Sequence, residues 1–225
     1  MLFLVLGKGK TGSLVAQVAR ERSHGVRVLD LAENRDAAAL TAPLVAGVDV
    51  VIDFTNAEAA LQNMRAVLAL GARIVVGTTG WYAHLNDMVA LANKRGGALL
   101  YGTNFSPGVQ KLFRLTAELA GLNGYKFSIA ETHHTSKLDA PSGTAITLKE
   151  IIESARPGTN VEIASHRVGD ANGEHVVIAK SEYDTLELKH DAHNRRSFAL
   201  GAVLAAEWVA GKSGAWDFRE IFDEL

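Results

Sequence analysis

The chain holds 225 residues, with 23 Lys or Arg against 25 Asp or Glu and a formal net charge of −2. That balance leaves no electrostatic footprint for nucleic acid or an anionic membrane surface, while an apolar fraction of 48% supplies an ordinary core. The absence of cysteine removes disulfides, thiolate metal sites and thiol nucleophiles, and it fits a cytoplasmic location.

Leu2 to Leu6 is a continuous apolar run, the pattern of a strand buried on both faces of a parallel sheet. Extended to Gly7, it is still too short to cross a membrane, and it lacks the basic start of a secretory leader. It runs into Gly7-Lys8-Gly9-Lys10-Thr11-Gly12 and then a helical pattern from Leu14 to Ala19. A G-x-G-x-x-G turn between strand and helix brings main-chain N–H groups close to a dinucleotide pyrophosphate at the helix N-terminus. Val26 to Asp30 reads as the second strand, with Asp30 where a carboxylate takes ribose hydroxyls; a solvated loop acid is the plainer alternative. Lys8 and Lys10 are placed either to meet phosphate or simply to be solvated, so NADH and NADPH both stay open as cofactor. Between Asp30 and Val48, only Glu33 to Leu44 has room for a helix.

Strand patterns recur at Val48–Phe54, Ala72–Val76 and Ala98–Tyr101, separated by helical patterns at Ala57–Leu70 and Leu85–Lys94. Such alternation predicts a Rossmann-type doubly wound parallel sheet. Its strands end in small polar residues, at Thr55-Asn56, Gly77-Thr78-Thr79-Gly80 and Gly102-Thr103-Asn104-Phe105. Ligands in open α/β sheets bind at the carboxyl ends of strands, so these loops are expected to border the cofactor. After a helix at Val109–Leu119 the pattern changes. Strands at Tyr125–Ala130, Val161–Arg167, His175–Lys180 and Thr185–His190 follow one another, with one helical pattern among them from Ala145 to Ile152. The expected architecture is α/β: a dinucleotide-binding domain over 1–104, with residues 201–225 packing back on it, and an α+β substrate and assembly domain over 105–200 built on a mixed or antiparallel sheet.

The densest chemistry lies in Glu131-Thr-His133-His134-Thr-Ser-Lys137-Leu-Asp139-Ala-Pro141-Ser142-Gly143-Thr144-Ala145. Adjacent histidines on a strand point to opposite faces, and there is no Cys and no His-x-x-x-His pair, so no metal site is expected. His133 can exchange a proton, Lys137 offers a cation or a proton, and the N–H groups and hydroxyls of Ser142-Gly143-Thr144 at a helix start suit a carboxylate. Taken singly, these residues have plain readings: a structural histidine, a solvated lysine, a helix cap. Together, beside a dinucleotide motif, they describe reduction of a small anionic substrate.

This run resembles the signature of the dihydrodipicolinate reductase (4-hydroxy-tetrahydrodipicolinate reductase) family of lysine and diaminopimelate synthesis. The resemblance extends to Val51-Ile52-Asp53-Phe54-Thr55, Gly77-Thr78-Thr79-Gly80, Asn104-Phe105-Ser106, His166-Arg167-x-Gly169, Gly173-Glu174-His175 and Trp208-x-x-Gly211-Lys212-x-Gly214. It implies reduction of a cyclic imine dicarboxylate with NADH or NADPH, in a homotetramer joined through the second-domain sheet. His133 and Lys137 then match the proton-handling residues, and His134, Gly143 and Thr144 the substrate contacts. Gly77, Thr78 and Thr79, with Gly102 through Phe105, match the nicotinamide side. The chain departs from the family in having Leu6 where a glycine is common, and in its short segment after Asp30. Two other functions fit the residues, another imine or amino-acid dehydrogenase such as an aspartate dehydrogenase-like enzyme, and a non-enzymatic dinucleotide sensor. A thioester-forming semialdehyde dehydrogenase is excluded by the missing Cys.

Overall fold

A computed structural model describes residues 1–225, which divide into two units: Met1–Ser106 with Arg196–Leu225, and Pro107–Arg195. The first unit is a six-stranded sheet in the order β10-β5-β4-β3-β1-β2. Its strands are β1 (Leu2–Leu6), β2 (Gly25–Leu29), β3 (Val50–Asp53), β4 (Arg73–Val76), β5 (Ala98–Tyr101) and β10 (Gly214–Asp217), and every pairing is parallel. This is the doubly wound architecture that the alternation predicts. Strand residues alternate between two cores because successive side chains point to opposite faces. Phe3, Val5, Val50 and Ile52 meet α1 (Lys10–Glu21) and α7 (Arg196–Val209) on one side. On the other, Leu4, Leu6, Val51 and Ile74 meet α3 (Ala57–Ala69) and α4 (Leu85–Arg95).

The segment after Asp30 forms no full helix: a single tight turn at Arg35–Ala37 and the one-turn α2 (Ala42–Val45) fill it. β10 is an element that the sequence pattern does not reveal; it pairs with β5 and carries the chain into the short α8 (Phe218–Ile221). Asp217 caps α8 through a capping box with Glu220. No helix is long and apolar enough to cross a membrane.

The second unit is a four-stranded mixed sheet ordered β7-β6-β8-β9, from β6 (Lys126–His133), β7 (Glu162–Arg167), β8 (Glu174–Lys180) and β9 (Thr185–Asp191). β6 runs parallel to β7 and antiparallel to β8, which is antiparallel to β9. One face, with Phe127, Ile129, Val177 and Ala179, is covered by α5 (Pro107–Leu119) and α6 (Gly143–Ala155). The other carries Ala130, Thr132, Val176 and Ile178, all half-buried.

Candidate functional site

In the first unit the glycine motif lies at the carboxyl end of β1. Gly7 has φ +103°, and a Cβ on it would stand 2.4 Å from the Phe54 carbonyl oxygen. A Cβ on Gly12 would stand 2.1 Å from the Gly7 carbonyl oxygen, so the start of α1 packs directly on the turn. Gly9 is the N-cap of α1, has no side-chain cap, and faces open space. The N–H groups of that first turn, including those of Lys10 and Thr11, have no acceptor within the helix, which is the arrangement that receives a phosphate. The residues present therefore fit a dinucleotide. Lys8 does not turn toward this cradle: its ammonium lies 3.3 Å from Asp30 and 2.8 Å from Glu33. Asp30 accepts main-chain bonds from Ala32 and Glu33. These N–H groups and Lys8 hold its carboxyl below the usual range.

The loops after β3 and β4 are tied by a buried carboxylate that sequence reading passed over. Asp53 accepts from Thr55 Oγ1 at 2.7 Å, Thr78 Oγ1 at 2.9 Å and Asn63 Nδ2 at 2.7 Å. Burial pushes its carboxyl upward in spite of these donors. The Thr78 hydroxyl is thus engaged with the fold, whereas Thr79 beside it is exposed. Gly77 packs against the Phe54 ring. After β5, Gly102 is buried, Thr103 and Asn104 are half-buried, and Asn104 Oδ1 accepts from Ser106 N. The Phe105 ring lies 4.5 Å from Phe218.

In the second unit the central run begins inside a strand, because β6 continues through Glu131 to His133. Two-residue periodicity sends Glu131 and His133 to the covered face, and both are buried. Register does the rest: Glu131 pairs with Ser165 on β7 and His175 on β8, while His133 pairs with Arg167. His133 Nδ1 lies 3.1 Å from Glu131 Oε2, and Arg167 donates to Glu131 Oε1 at 3.1 Å. Burial pushes the Glu131 carboxyl up, but His133, Ser142, Ser165 and Arg167 together outweigh it and hold it well below the carboxylate range. His175 is also pushed down, to about 3, by burial first and by His133 next to it. Glu131, His133 and His175 form a tight three-residue cluster of metal-ligating types that the spacing of His133 and His134 did not anticipate. The Arg167 guanidinium on the same carboxylate already supplies a positive charge there, as an ion pair that the two imidazoles adjoin.

Beyond the strand, His134 Nδ1 lies 2.8 Å from Ser136 Oγ, and Arg195 donates to His134 Nε2 at 3.1 Å. Arginine only donates, so Nε2 accepts and the proton sits on Nδ1. Lys137 is bidentate on Asp139 at 2.7 and 2.8 Å, with 22% of its side chain exposed. Ser142 is buried: its Oγ caps α6 through Ala145 N and lies 3.2 Å from His175 Nε2, and its N donates to Glu131. Its hydroxyl therefore belongs to the fold, which leaves Gly143 and Thr144, in the first turn of the helix, as the part of the turn that could receive an anion. The second unit thus brings His133, His134, Lys137, Gly143 and Thr144 onto one strand-turn-helix. It adds Glu131, Arg167, His175 and Arg195; Arg167 and His175 stand in motifs of the family resemblance without a role, and Arg195 stands in none.

The model described as "Dihydrodipicolinate reductase, N-terminus" matches residues 1–105, and "Dihydrodipicolinate reductase, C-terminus" matches residues 108–222. The chain belongs to the dihydrodipicolinate reductase family. A 4-hydroxy-tetrahydrodipicolinate reductase of Christiangramia forsetii is 35% identical, over 100% of this chain and 99% of that one. One of Natronomonas pharaonis is also 35% identical, covering 94% and 96%. Among solved structures, a dipicolinate-bound dihydrodipicolinate reductase from Paenisporosarcina sp. TG-14 superposes with a TM-score of 0.79 at 21% identity, covering 100% and 99%. That likeness speaks for the fold, and the two family models place both units of the chain within the reductase family.

Proposed function

We propose that the protein reduces 4-hydroxy-tetrahydrodipicolinate, through its dehydrated imine, to tetrahydrodipicolinate in the cytoplasm, as a step of lysine and diaminopimelate synthesis. The observation that carries this reading is the strand-turn-helix of the second unit: His133, His134 and Lys137 precede an anion-binding helix start within a chain of this family. One substrate carboxylate takes the Gly143 and Thr144 N–H groups at the positive end of α6. His134, its tautomer set by Arg195, holds the substrate. Bound dihydronicotinamide supplies a hydride to the ring carbon of the conjugated imine. The resulting enamine is electron-rich at the adjacent carbon, and Lys137 or His133 delivers the proton that completes reduction. Lys137 rests on Asp139, a pair open to solvent on its Asp139 side, where an ion pair contributes little.

NADH is the preferred cofactor in this reading. Asp30 and Glu33 stand together at the end of β2, and Asp36 and Glu58 line the adjoining cleft, against the cations Lys8 and Arg35. Two carboxylates at the ribose position favour free hydroxyls and oppose a 2′-phosphate. The protein acts as a homotetramer through the uncovered face of the second-unit sheet, around Ala130, Val176 and Ile178.

The test follows loss of nicotinamide absorbance with the product of dihydrodipicolinate synthase, comparing NADH with NADPH. His133→Ala and Lys137→Ala should each lower kcat by about 10²–10⁴-fold with dinucleotide affinity kept. NADH should give the higher kcat/KM, and Glu33→Gln should move the ratio toward NADPH. No oxidation of either cofactor would return the protein to a dinucleotide sensor or to another imine substrate.

A further inference from the structure

We infer that Glu131 is the positioning residue that orients His133 for proton transfer. Its carboxylate accepts a hydrogen bond from Nδ1–H of the imidazole and leaves Nε2 as the exchanging nitrogen. The inference rests on the reading of His133 as a proton-handling group, and it adds a partner that this reading does not contain. Glu131 Oε2 and His133 Nδ1 lie 3.1 Å apart, both buried, and neither makes a hydrogen bond to any other group of the protein or a fully formed one to its neighbour. Two groups that must each be satisfied inside the protein are therefore left to one another. The other oxygen, Oε1, is held at 3.2 Å by Ser142 N and at 3.1 Å by Arg167. Arg167 also donates to the Asp139 carbonyl at 2.6 Å, tying the Lys137–Asp139 loop to the same carboxylate. Glu131 is thus fixed from the helix start, from β7 and from the loop before it can touch His133. Rotation of the carboxylate would break these contacts, so its second oxygen has one direction in which to point.

The far edge of the imidazole is kept clear in a complementary way. Gly173 has φ +139°, and a Cβ there would stand 3.1 Å from His133 Nε2 and 3.3 Å from Cδ2. A carboxylate on Nδ1 sets tautomer and ring orientation and stabilises the imidazolium formed when Nε2 takes a proton; it is not itself the acid. His175, whose ring centroid lies 5.1 Å from that of His133, stands on the same carboxylate at 3.9 Å. Its engagement with Ser142 Oγ leaves the closer approach to His133.

The first measurement uses the unmodified chain. With 15N-labelled histidine at pH 8, His133, assigned by its loss in His133→Asn, should show Nδ1 protonated and Nε2 bare. The opposite tautomer would overturn the proposal. In Glu131→Gln this preference should vanish, and kcat should fall by roughly 10–100-fold, the range for lost support of a functional imidazole, with NADH affinity unchanged. In a His133→Asn background the same Glu131→Gln change should cost no further rate. A full additional loss there would show that Glu131 acts on the helix start or the loop instead, and would overturn the inference. If His133→Asn alone kept the wild-type rate, the proton role of His133 would fall and the catalytic half of this inference with it. The tautomer would still decide the contact itself.

Discussion

His175 shows how much a single residue can depend on its neighbours. In sequence it is one histidine in Gly173-Glu174-His175; in the fold it is 3% exposed and held neutral down to about pH 3. An unfolded histidine takes its proton near pH 6.5. Below that value the unfolded chain binds a proton that the folded chain refuses, so stability falls with pH across the window from about 6.5 to about 3. The loss approaches ~1.4 kcal/mol per pH unit within that window. Glu131 adds to it from about pH 4.5 downward, since its folded carboxyl stays ionised below the pH at which the unfolded one protonates. In His175→Asn, urea unfolding between pH 6 and pH 4.5 should lose most of this slope. An unchanged slope would mean that His175 titrates normally. Sequence could offer His133 and Lys137 because they sit within one short run. It could name Arg167 and His175 only as parts of distant motifs, and Arg195 not at all, because they reach Glu131 and His134 only through strand pairing and a turn.

At the scale of elements, α6 does two things with one residue. Ser142 caps it, satisfying Ala145 N, and its own N–H leans on Glu131, so the helix start is pinned to β6. Ser142→Ala removes the cap and should cost about 1 kcal/mol, the usual value for such a change. Hydrogen exchange at the first-turn amides of α6 should quicken by about fivefold to tenfold while exchange in α5 stays put. Equal quickening in both would place the loss in the whole unit. Most helices and strands here were readable because their periods are clean, 3.6 residues or 2. β10 was not, since Gly214-Ala215-Trp216-Asp217 is short, begins with glycine, and is a strand only because β5 offers it an edge. The run after β2 is legible as too short for a full helix, and it becomes a tight turn and a single helical turn.

At the scale of the molecule, the chain leaves the first unit after Ser106 and returns to it at Arg196. α7 is more apolar than α1, α3 or α4, and its buried residues Ala199, Ala202, Val203 and Ala206 complete the core that α1 begins. Ion pairs hold the seam, Arg22 with Glu207 at 2.7 Å and Arg196 with Glu21. The second unit keeps one sheet face uncovered, and the proposed tetramer gives that face its partner. Ile178 is half-buried and points away from α5 and α6, so Ile178→Glu should leave the unit folded while placing a charge in the interface. Light scattering should find about four chains in the wild type and fewer in the variant. A wild-type monomer would end the tetramer proposal.

Local pattern determined the two-part architecture, the dinucleotide turn and the run carrying His133 and Lys137. Those properties depend on periodicity and on residues close in sequence, where chain connectivity alone keeps groups together. Tertiary structure decided what each group in that run is for. Ser142 became a cap and Glu131 the anchor of His133, and in the first unit Lys8 came to lie against Asp30 and Glu33. Such roles depend on the register of β6 against β7 and β8 and on the turn after β2. Register is set by how whole faces bury their apolar side chains, a balance summed over many residues that no short motif records.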